Sequence, residues 1–361
     1  MELILIWPGL EEEHRLRDVL NFALESVTVK ETIREVDELQ AAIRQGALKG
    51  KRILFAVSLG ESGINLGWCA MLELLRTNGT CLKDSVAGIL VDGKGELYTK
   101  SIGQEAVRTA NRAGCWFVGR PLTEATGSLQ NYRILAENGN CSLQEAYLRQ
   151  ARDLAERVAL FRKPVYASPK LLCIHSCNPS TSNTLRLWEE VRAGLPAEVR
   201  VQEISLRNGT VFDCAGCPYD MCMYFSRKSG CFYGGPIVEE VYPALEKCNG
   251  LVLLCPNYND ALGANLTAFI NRLTALFRKK PFADKYLFSL VVSGYSGGDI
   301  LERQLIGSLN MNKAFILPGN FAMTETANHP GSIMAVRDIH HRTSEFADHM
   351  VSCMCSESPF F

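Results

Sequence analysis

The sequence lacks any long hydrophobic run. No apolar stretch among its 361 residues approaches the roughly 20 that are needed to cross a bilayer. It also lacks the basic start of a signal peptide, because Glu2 stands where a positive charge is needed and Pro8 ends the first apolar run. Neither charge is in excess, since 38 Lys and Arg face 39 Asp and Glu and no basic stripe stands out. We therefore expect a cytoplasmic protein that binds neither a membrane nor nucleic acid.

The composition, with 47% hydrophobic and 21% charged residues, is that of a globular protein, and 361 residues suffice for two domains. Apolar runs alternate with amphipathic segments up to about residue 120, which is typical of a parallel sheet covered by helices. The predicted strands are Leu3–Trp7, Val27–Thr32, Arg52–Val57, Val86–Val91 and Cys115–Val118. The predicted helices are Glu11–Leu24, Val36–Arg44, Leu66–Arg76 and Gly103–Ala113. This pattern predicts a doubly wound α/β domain.

The first domain has no Walker A or G-x-G-x-x-G signature in a fitting context. The loop after its first strand leads into Glu11, Glu12 and Glu13, and three carboxylates at a helix N-terminus repel phosphate. We therefore predict that the first domain does not bind FMN, and its role is left unassigned. A helix over Ser142–Lys163, which Pro164 stops, indicates the boundary between residues 1–165 and residues 166–361.

The second domain repeats the alternation of strands and helices. Its predicted strands are Leu171–His175, Arg200–Leu206, Leu251–Leu254, Leu287–Val292 and Ala314–Leu317, and Ile333–Met354 is predicted to be a closing helix. In a sheet ordered 2-1-3-4-5, the loops after strands one, three and four meet at one edge. Here these loops are rich in small polar residues: Ser176–Thr184, Cys255–Asp260 and Ser293–Asp299. The first can bind a phosphate through hydroxyl and amide groups, although a helix N-cap explains it equally well.

A glycine-rich loop after the second strand contains four of the fourteen cysteines, namely Cys214, Cys217, Cys222 and Cys231. Four thiolates this close in sequence can bind an iron–sulfur cluster or a zinc ion, and spacing alone does not separate the two. They can also remain unligated thiols, whereas disulfides would need an oxidising compartment. The loop is predicted to reach the same edge of the sheet as the three polar loops.

Together these features resemble the family of NADPH-dependent FMN reductases and iron–sulfur flavoproteins, which has a flavodoxin-like fold. The resemblance covers residues 168–320 and rests on Ser176–Thr184, the cysteine loop, and Cys255-Pro-Asn-Tyr258 ahead of Asn271-Arg-Leu273. It implies that the FMN phosphate is held by Ser176, Ser182, Asn183 and Thr184, with Asn178 where the family usually has an arginine. It also implies that the isoalloxazine ring is bordered by Pro256, Asn257, Tyr258 and Asn259 and, at its other end, by Ser293, Gly294, Tyr295 and Gly297.

The sequence thus predicts an oxidoreductase that transfers electrons from NAD(P)H through FMN to a small-molecule or protein acceptor. The cofactor supplies the hydride chemistry, so no catalytic side chain is predicted. Two alternatives stay open: an iron–sulfur flavoprotein electron carrier reduced by a protein partner, and a cysteine-based redox or metal sensor on a flavodoxin-like scaffold. The resemblance further implies a homodimer or homotetramer.

Overall fold

The structure, a computed structural model, describes residues 2–9, 14–207 and 211–357. The chain divides into two compact units, Met1–Lys163 and Pro164–Glu357. The division falls close to the predicted boundary at residue 165. Glu11, Glu12 and Glu13, on which the prediction for the first loop rests, lie outside the described residues. No helix within the described ranges is both long and apolar enough to cross a membrane.

The first unit is a parallel five-stranded sheet in the order β2-β1-β3-β4-β5. Its strands are β1 (Glu2–Ile6), β2 (Thr28–Ile33), β3 (Arg52–Leu59), β4 (Val86–Gly93) and β5 (Trp116–Ala125). Its helices are α1 (His14–Ala23), α2 (Val36–Arg44), α3 (Leu66–Thr77), α4 (Thr99–Arg112), α5 (Arg133–Gly139) and α6 (Leu143–Leu160). The prediction of a doubly wound sheet is confirmed.

The helix α6 closes the first unit and shows why the sequence folds this way locally. A capping box starts it, in which Ser142 Oγ accepts from Glu145 N at 3.1 Å and Glu145 Oε2 accepts from Ser142 N at 2.8 Å. The helix lies against β4 at Gly88, where an added Cβ would come within 2.8 Å of Val158 and 2.9 Å of Leu154. Gly88 therefore permits the close approach of helix and sheet.

The second unit is also a parallel five-stranded sheet, in the order β7-β6-β8-β9-β10. Its strands are β6 (Lys170–His175), β7 (Arg200–Ser205), β8 (Gly250–Pro256), β9 (Tyr286–Ser293) and β10 (Ala322–Thr326). Its helices are α7 (Asn183–Ala193), α8 (Tyr219–Ser226), α9 (Tyr242–Lys247), α10 (Ala264–Lys279), α11 (Gly298–Leu305) and α12 (Ile339–Cys355). Counted from the start of the unit this is the order 2-1-3-4-5, so the predicted flavodoxin-like topology is confirmed.

The predicted last strand, Ala314–Leu317, is wrong. The edge strand is β10, which pairs with β9 from Ala322 opposite Ser289 to Thr326 opposite Ser293. Ile316 makes only an isolated bridge to Tyr286. Phe315, Ile316 and Leu317 are buried, so their apolar run reflects packing under the sheet rather than strand pairing.

Candidate functional site

The loop after β6 leads directly into the N-terminus of α7, as the sequence predicts. Ser182 is the N-cap, and its Oγ accepts from Leu185 N at 3.2 Å. Asn178 Oδ1 accepts from the backbone N and the Oγ of Ser180 at 3.2 and 2.9 Å, which folds the loop into a tight turn. Ser176 is partly exposed beside this turn. The first turn of α7 therefore presents its amide groups at an open, uncharged loop, which suits an anion.

Asn183 and Thr184 lie deeper than the loop that precedes them, with 7% and 1% of their surfaces exposed. The Asn183 amide nitrogen donates to Ala327 O and His329 O at 3.2 and 2.9 Å. Its Oδ1 accepts from Gly331 N at 2.8 Å. The side chain thus fixes the segment that follows β10, and residue 183 can reach a phosphate only through its backbone.

The loops after β8 and β9 are joined by Asn257. Its Nδ2 donates to Ser293 Oγ at 3.1 Å and to Ser296 O at 3.0 Å in the β9 loop, and to Asp260 Oδ1 at 3.1 Å in its own loop. Its Oδ1 is buried without a hydrogen-bond partner among the described residues. A buried amide oxygen of this kind is free to accept a hydrogen bond from a bound group.

Glycine is required at position 297, where the β9 loop meets the β8 loop. Its φ is +87°, and an added Cβ would lie 2.1 Å from Asp260 Oδ1. Asn259 and Asp260 also adopt positive φ, at 53° and 57°. The two loops therefore lie in close contact, and Asp260, which was not among the predicted ring residues, forms part of that contact.

Two tyrosines stand at the rim of these loops. Tyr258 is 53% and Tyr295 is 82% exposed. Tyr258 lies near Gly263, whose added Cβ would be 3.7 Å from the tyrosine ring and 3.4 Å from Ser176 Oγ. Burial raises the pKa of Tyr258, so its phenol remains a hydrogen-bond donor at neutral pH. Asn328, which the sequence did not single out, donates to Tyr295 Oη at 3.3 Å.

The remaining predicted ring residues lie on the same two loops. Pro256 ends β8 and Ser293 ends β9, and these two strands are paired. Gly294 follows at once, where an added Cβ would lie 3.2 Å from Asn328 Oδ1. The structure thus brings the predicted residues of all three loops to one edge of the second sheet.

Below this edge His175 is buried at the end of β6. Its Nδ1 accepts from Cys177 N at 3.2 Å, so Nε2 carries the proton and faces Glu203 Oε1 at 3.3 Å. Burial lowers the pKa of His175, and the attraction of Glu203 opposes this shift. Glu203 also accepts from Trp188 Nε1 at 2.9 Å, so this network is a support for β6, β7 and α7.

Several cysteines outside the four-cysteine loop are buried packing residues. Cys173, Cys248 and Cys255 are buried in the core. Burial raises the pKa of Cys248 and that of Cys255 to about 12, and it also raises the pKa of Cys177 in the loop after β6. These thiols are therefore protonated packing groups at neutral pH.

Cys214, Cys217, Cys222 and Cys231 line one cavity of about 250 Å³. Cys222 lies on α8, a helix where the sequence predicted a loop. This helix packs on α10. The rest of the wall comes from aromatic rings and from α10, and includes Phe225, Phe232, Tyr233, Arg272, Thr274 and Arg278. The four predicted cysteines therefore share one compact site.

The cysteine cavity offers four thiol groups as donors. Over residues 2–9, 14–207 and 211–357, no three His, Cys, Asp or Glu side chains are placed to hold a single metal ion. A tetrahedral zinc site needs every sulfur about 2.3 Å from one centre. Four cysteines on one cavity are a donor set that either a zinc ion or an iron–sulfur cluster can take.

The equivalent edge of the first unit is closed by its own side chains. Arg15 of α1 binds the carboxylate of Asp92 at the end of β4, with Nη2 to Oδ1 at 2.8 Å and Nε to Oδ2 at 2.9 Å. The guanidinium also donates to Gly93 O at 2.8 Å and Gly127 O at 3.0 Å, and Tyr147 Oη donates to Asp92 Oδ2 at 3.1 Å. Arg15 thus joins the end of β4 to the loop that follows β5.

Comparison with known proteins points to the same part of the chain. Residues 169–329 match the family model of NADPH-dependent FMN reductase. The resemblance predicted from the sequence is confirmed over that range, and the match supports an NAD(P)H-dependent oxidoreductase. No curated protein matched the chain.

Solved structures with a similar chain align with about half of this protein. They include the FMN-dependent NADH-azoreductase of Bacillus anthracis in complex with FMN, at 11% identity over 50% of this chain and 99% of that chain, with a TM-score of 0.34. An NADH:FMN oxidoreductase, EmoB, is 17% identical over 52% of this chain and 91% of that chain, with a TM-score of 0.37. Smu.1420 of Streptococcus mutans is 13% identical over 50% and 99%, with a TM-score of 0.38. The fold class rests on the strand order itself.

Proposed function

We propose that the protein is an FMN-dependent oxidoreductase that takes electrons from NAD(P)H and passes them to a small-molecule or protein acceptor. One observation carries the proposal: three polar loops converge at the carboxyl edge of the second sheet, within the range that matches the FMN reductase family. Ligands of doubly wound sheets bind at this edge.

The residues at the edge fit FMN. Ser176, Asn178 and Ser182, with the first turn of α7, offer hydroxyl and amide groups to a phosphate. The buried Asn257 Oδ1, which lacks a partner among the described residues, can accept a hydrogen bond from a ring N–H. The exposed ring of Tyr258 offers apolar surface beside it.

Bound flavin would supply the hydride chemistry, while this chain would bind and orient it. Asn257 would hold the two ring loops at a fixed separation through its bonds to Ser293 and Ser296. The Tyr258 hydroxyl would stay protonated, because burial raises its pKa, and could donate to a polar ligand atom. We assign a role in proton transfer to none of these side chains.

The test of flavin binding is anaerobic titration of flavin-free protein with FMN. We expect tight uptake by the unmodified protein. Asn257→Asp keeps the shape but removes the Nδ2 donor to Asp260, Ser293 and Ser296, so FMN should bind at least about tenfold more weakly, or 1.4 kcal/mol. Asn78→Asp, on an exposed helix end, is the matched control and should leave FMN affinity unchanged. Absence of FMN uptake by the unmodified protein would overturn the proposal.

The electron source separates the reductase from the carrier alternative. Bleaching of the flavin absorption by NADH or NADPH under anaerobic conditions is expected for a reductase. Flavin that is reduced by dithionite but by neither nicotinamide would instead assign the protein as an electron carrier that a protein partner reduces.

We further propose that Cys214, Cys217, Cys222 and Cys231 hold an iron–sulfur cluster. The cavity of about 250 Å³ that all four cysteines line supports this, because four thiolates are the usual ligands of such a cluster. Bound there, a cluster would supply one-electron transfer within the same unit as the three polar loops. Anaerobic reconstitution followed by iron, zinc and acid-labile sulfide analysis tests this. Zinc without sulfide would contradict it and favour the metal-sensor alternative.

We also propose that the protein is a homodimer or homotetramer located in the cytoplasm. The exposure of Tyr258 and Tyr295 at the rim supports a surface that a second copy covers, because exposed apolar surface marks sites of interaction. Light scattering that gives the monomer mass at micromolar concentration would contradict the oligomer.

A further inference from the structure

The cysteine cavity, defined by Cys214, Cys217, Cys222 and Cys231, has a wall of positive charge. Arg272 and Arg278 of α10 line it directly. Lys313 reaches it from the segment after α11, where its Nζ donates to Oγ1 of the cavity-lining Thr274 at 3.0 Å. Two cationic side chains thus line the cysteine cavity, and a third contacts its wall through Thr274.

Arg272 is the most informative of the three because only 2% of its surface is exposed. Its Nη2 donates to Gly234 O at 2.7 Å and its Nη1 to Phe212 O at 3.4 Å. Its Nε is buried without a hydrogen-bond partner among the described residues. A buried guanidinium normally has an anionic partner, since an uncompensated buried charge costs several kcal/mol.

Neither of the other two cations has an anionic partner in the described ranges. The guanidinium of Arg278 lies 4.5 Å over the Tyr219 ring, and its Nη1 donates to Tyr219 O at 3.4 Å. Nζ of Lys313 lies 5.4 Å from the Phe277 ring. Burial lowers the pKa of Lys313, and the neighbouring Cys214 opposes this shift. No described carboxylate forms an ion pair with Arg272, Arg278 or Lys313.

The acid closest in sequence to the first cysteine is already engaged. Asp213 Oδ1 accepts from Cys214 N at 2.6 Å and from Asn271 Nδ2 at 2.9 Å. It therefore shapes the loop rather than neutralising the three cations. The anion that this wall lacks has to come from the contents of the cavity.

We propose that Arg272, Arg278 and Lys313 are positioning residues that supply the counter-charge for a thiolate-ligated iron–sulfur cluster and raise its reduction potential. This inference rests on the proposed cluster and deepens it. A cluster held by four thiolates is anionic and becomes more negative on reduction, so nearby cations stabilise the reduced state more than the oxidised state. Hydrogen bonds and charge around the sulfurs are the means by which a protein sets this potential.

The test is a spectroelectrochemical titration of the anaerobically reconstituted holoprotein and its Lys313 variants. Lys313→Met keeps the length of the side chain and removes the charge. We expect full iron and sulfide content with a reduction equilibrium constant about tenfold smaller, which is a shift of about 59 mV to more negative potential for one electron. Lys313→Arg should restore the original potential. Lys280→Met removes an exposed lysine that pairs with Asp284 at 2.8 Å, and it should leave the potential unchanged.

The outcomes separate this inference from the flavin assignment. Lys313→Met with full iron and sulfide and an unchanged potential would overturn the counter-charge role. Unmodified protein that holds FMN but neither iron nor sulfide after reconstitution would also overturn it, while the flavin proposal would stand. A cluster whose potential shifts in Lys313→Met, in protein that takes up no FMN, would support the inference and refute the flavin proposal.

Discussion

Asn183 provides the sharpest test of how the edge of the second unit is built. The resemblance implies that Asn183 holds the FMN phosphate, whereas its side-chain amide holds the segment after β10 through Ala327, His329 and Gly331. The two roles predict different results for Asn183→Ala. If Asn183 is a phosphate ligand, the variant should bind FMN more weakly at unchanged unfolding free energy. If Asn183 is a structural clamp, the unfolding free energy itself should fall.

The magnitude follows from the contacts. Three hydrogen bonds of 3.2, 2.9 and 2.8 Å are removed, and a fourth from Ile333 N, at 3.5 Å, is at the limit and contributes little. With a net contribution of about 1 kcal/mol each, the loss is about 3 kcal/mol of unfolding free energy, and slightly less where water replaces the amide. For a unit of this size that corresponds to a fall of about 6 to 12 °C in melting temperature.

The assay is urea unfolding of the flavin-free full-length protein, followed by circular dichroism, with FMN affinity measured separately. Thr181→Ala, at an exposed position of the same loop, is the matched control and should change stability by less than about 0.5 kcal/mol. Asn183→Ala that retains its unfolding free energy within that margin, yet loses FMN, would refute the clamp and restore the phosphate role.

Three further predictions concern other parts of the chain. Because the folded pKa of His175 is lowered, stability should fall as the pH drops below about 6.5, and urea unfolding at about pH 7.5 and about pH 5.5 should show a smaller fall in His175→Gln. Gly297→Ala should weaken FMN binding at least about tenfold in a fluorescence titration, through strain at φ +87°, whereas Gly79→Ala, in open space, should not. Arg15→Met leaves the Asp92 carboxylate, whose side chain is 9% exposed, without its ion pair and should cost about 2 to 3 kcal/mol in calorimetry, with unchanged FMN content.

Most of the sheet could be predicted from sequence because buried parallel strands are continuous apolar runs. Leu251–Leu254 and Arg52–Val57 are of this kind, and both fall within observed strands. The last strand failed for the same reason. Ala322–Thr326 has a mixed composition, and its partner is β9, so pairing rather than hydrophobicity decides where the strand lies.

The polar edge was predictable from topology, but its internal contacts were not. Asn183 meets Gly331 at a separation of 148 residues, which no local pattern reveals. The cysteines were visible in sequence, whereas the charge around them was not, because Lys313 reaches the cavity only through the packing of Thr274. Arg272 belongs to the Asn271-Arg-Leu273 motif, but the sequence does not show that its guanidinium is buried with Nε lacking a partner among the described residues.

The ion pair of Arg15 and Asp92 allows the two units to be compared directly. Both sheets have the same strand order, so the chain carries the same scaffold twice. In the first unit Arg15 and Asp92 form an ion pair at this edge. In the second unit the buried Oδ1 of Asn257 has no hydrogen-bond donor among the described residues. Exchanging residues of this edge between the two units would measure which side chains allow the scaffold to bind a ligand.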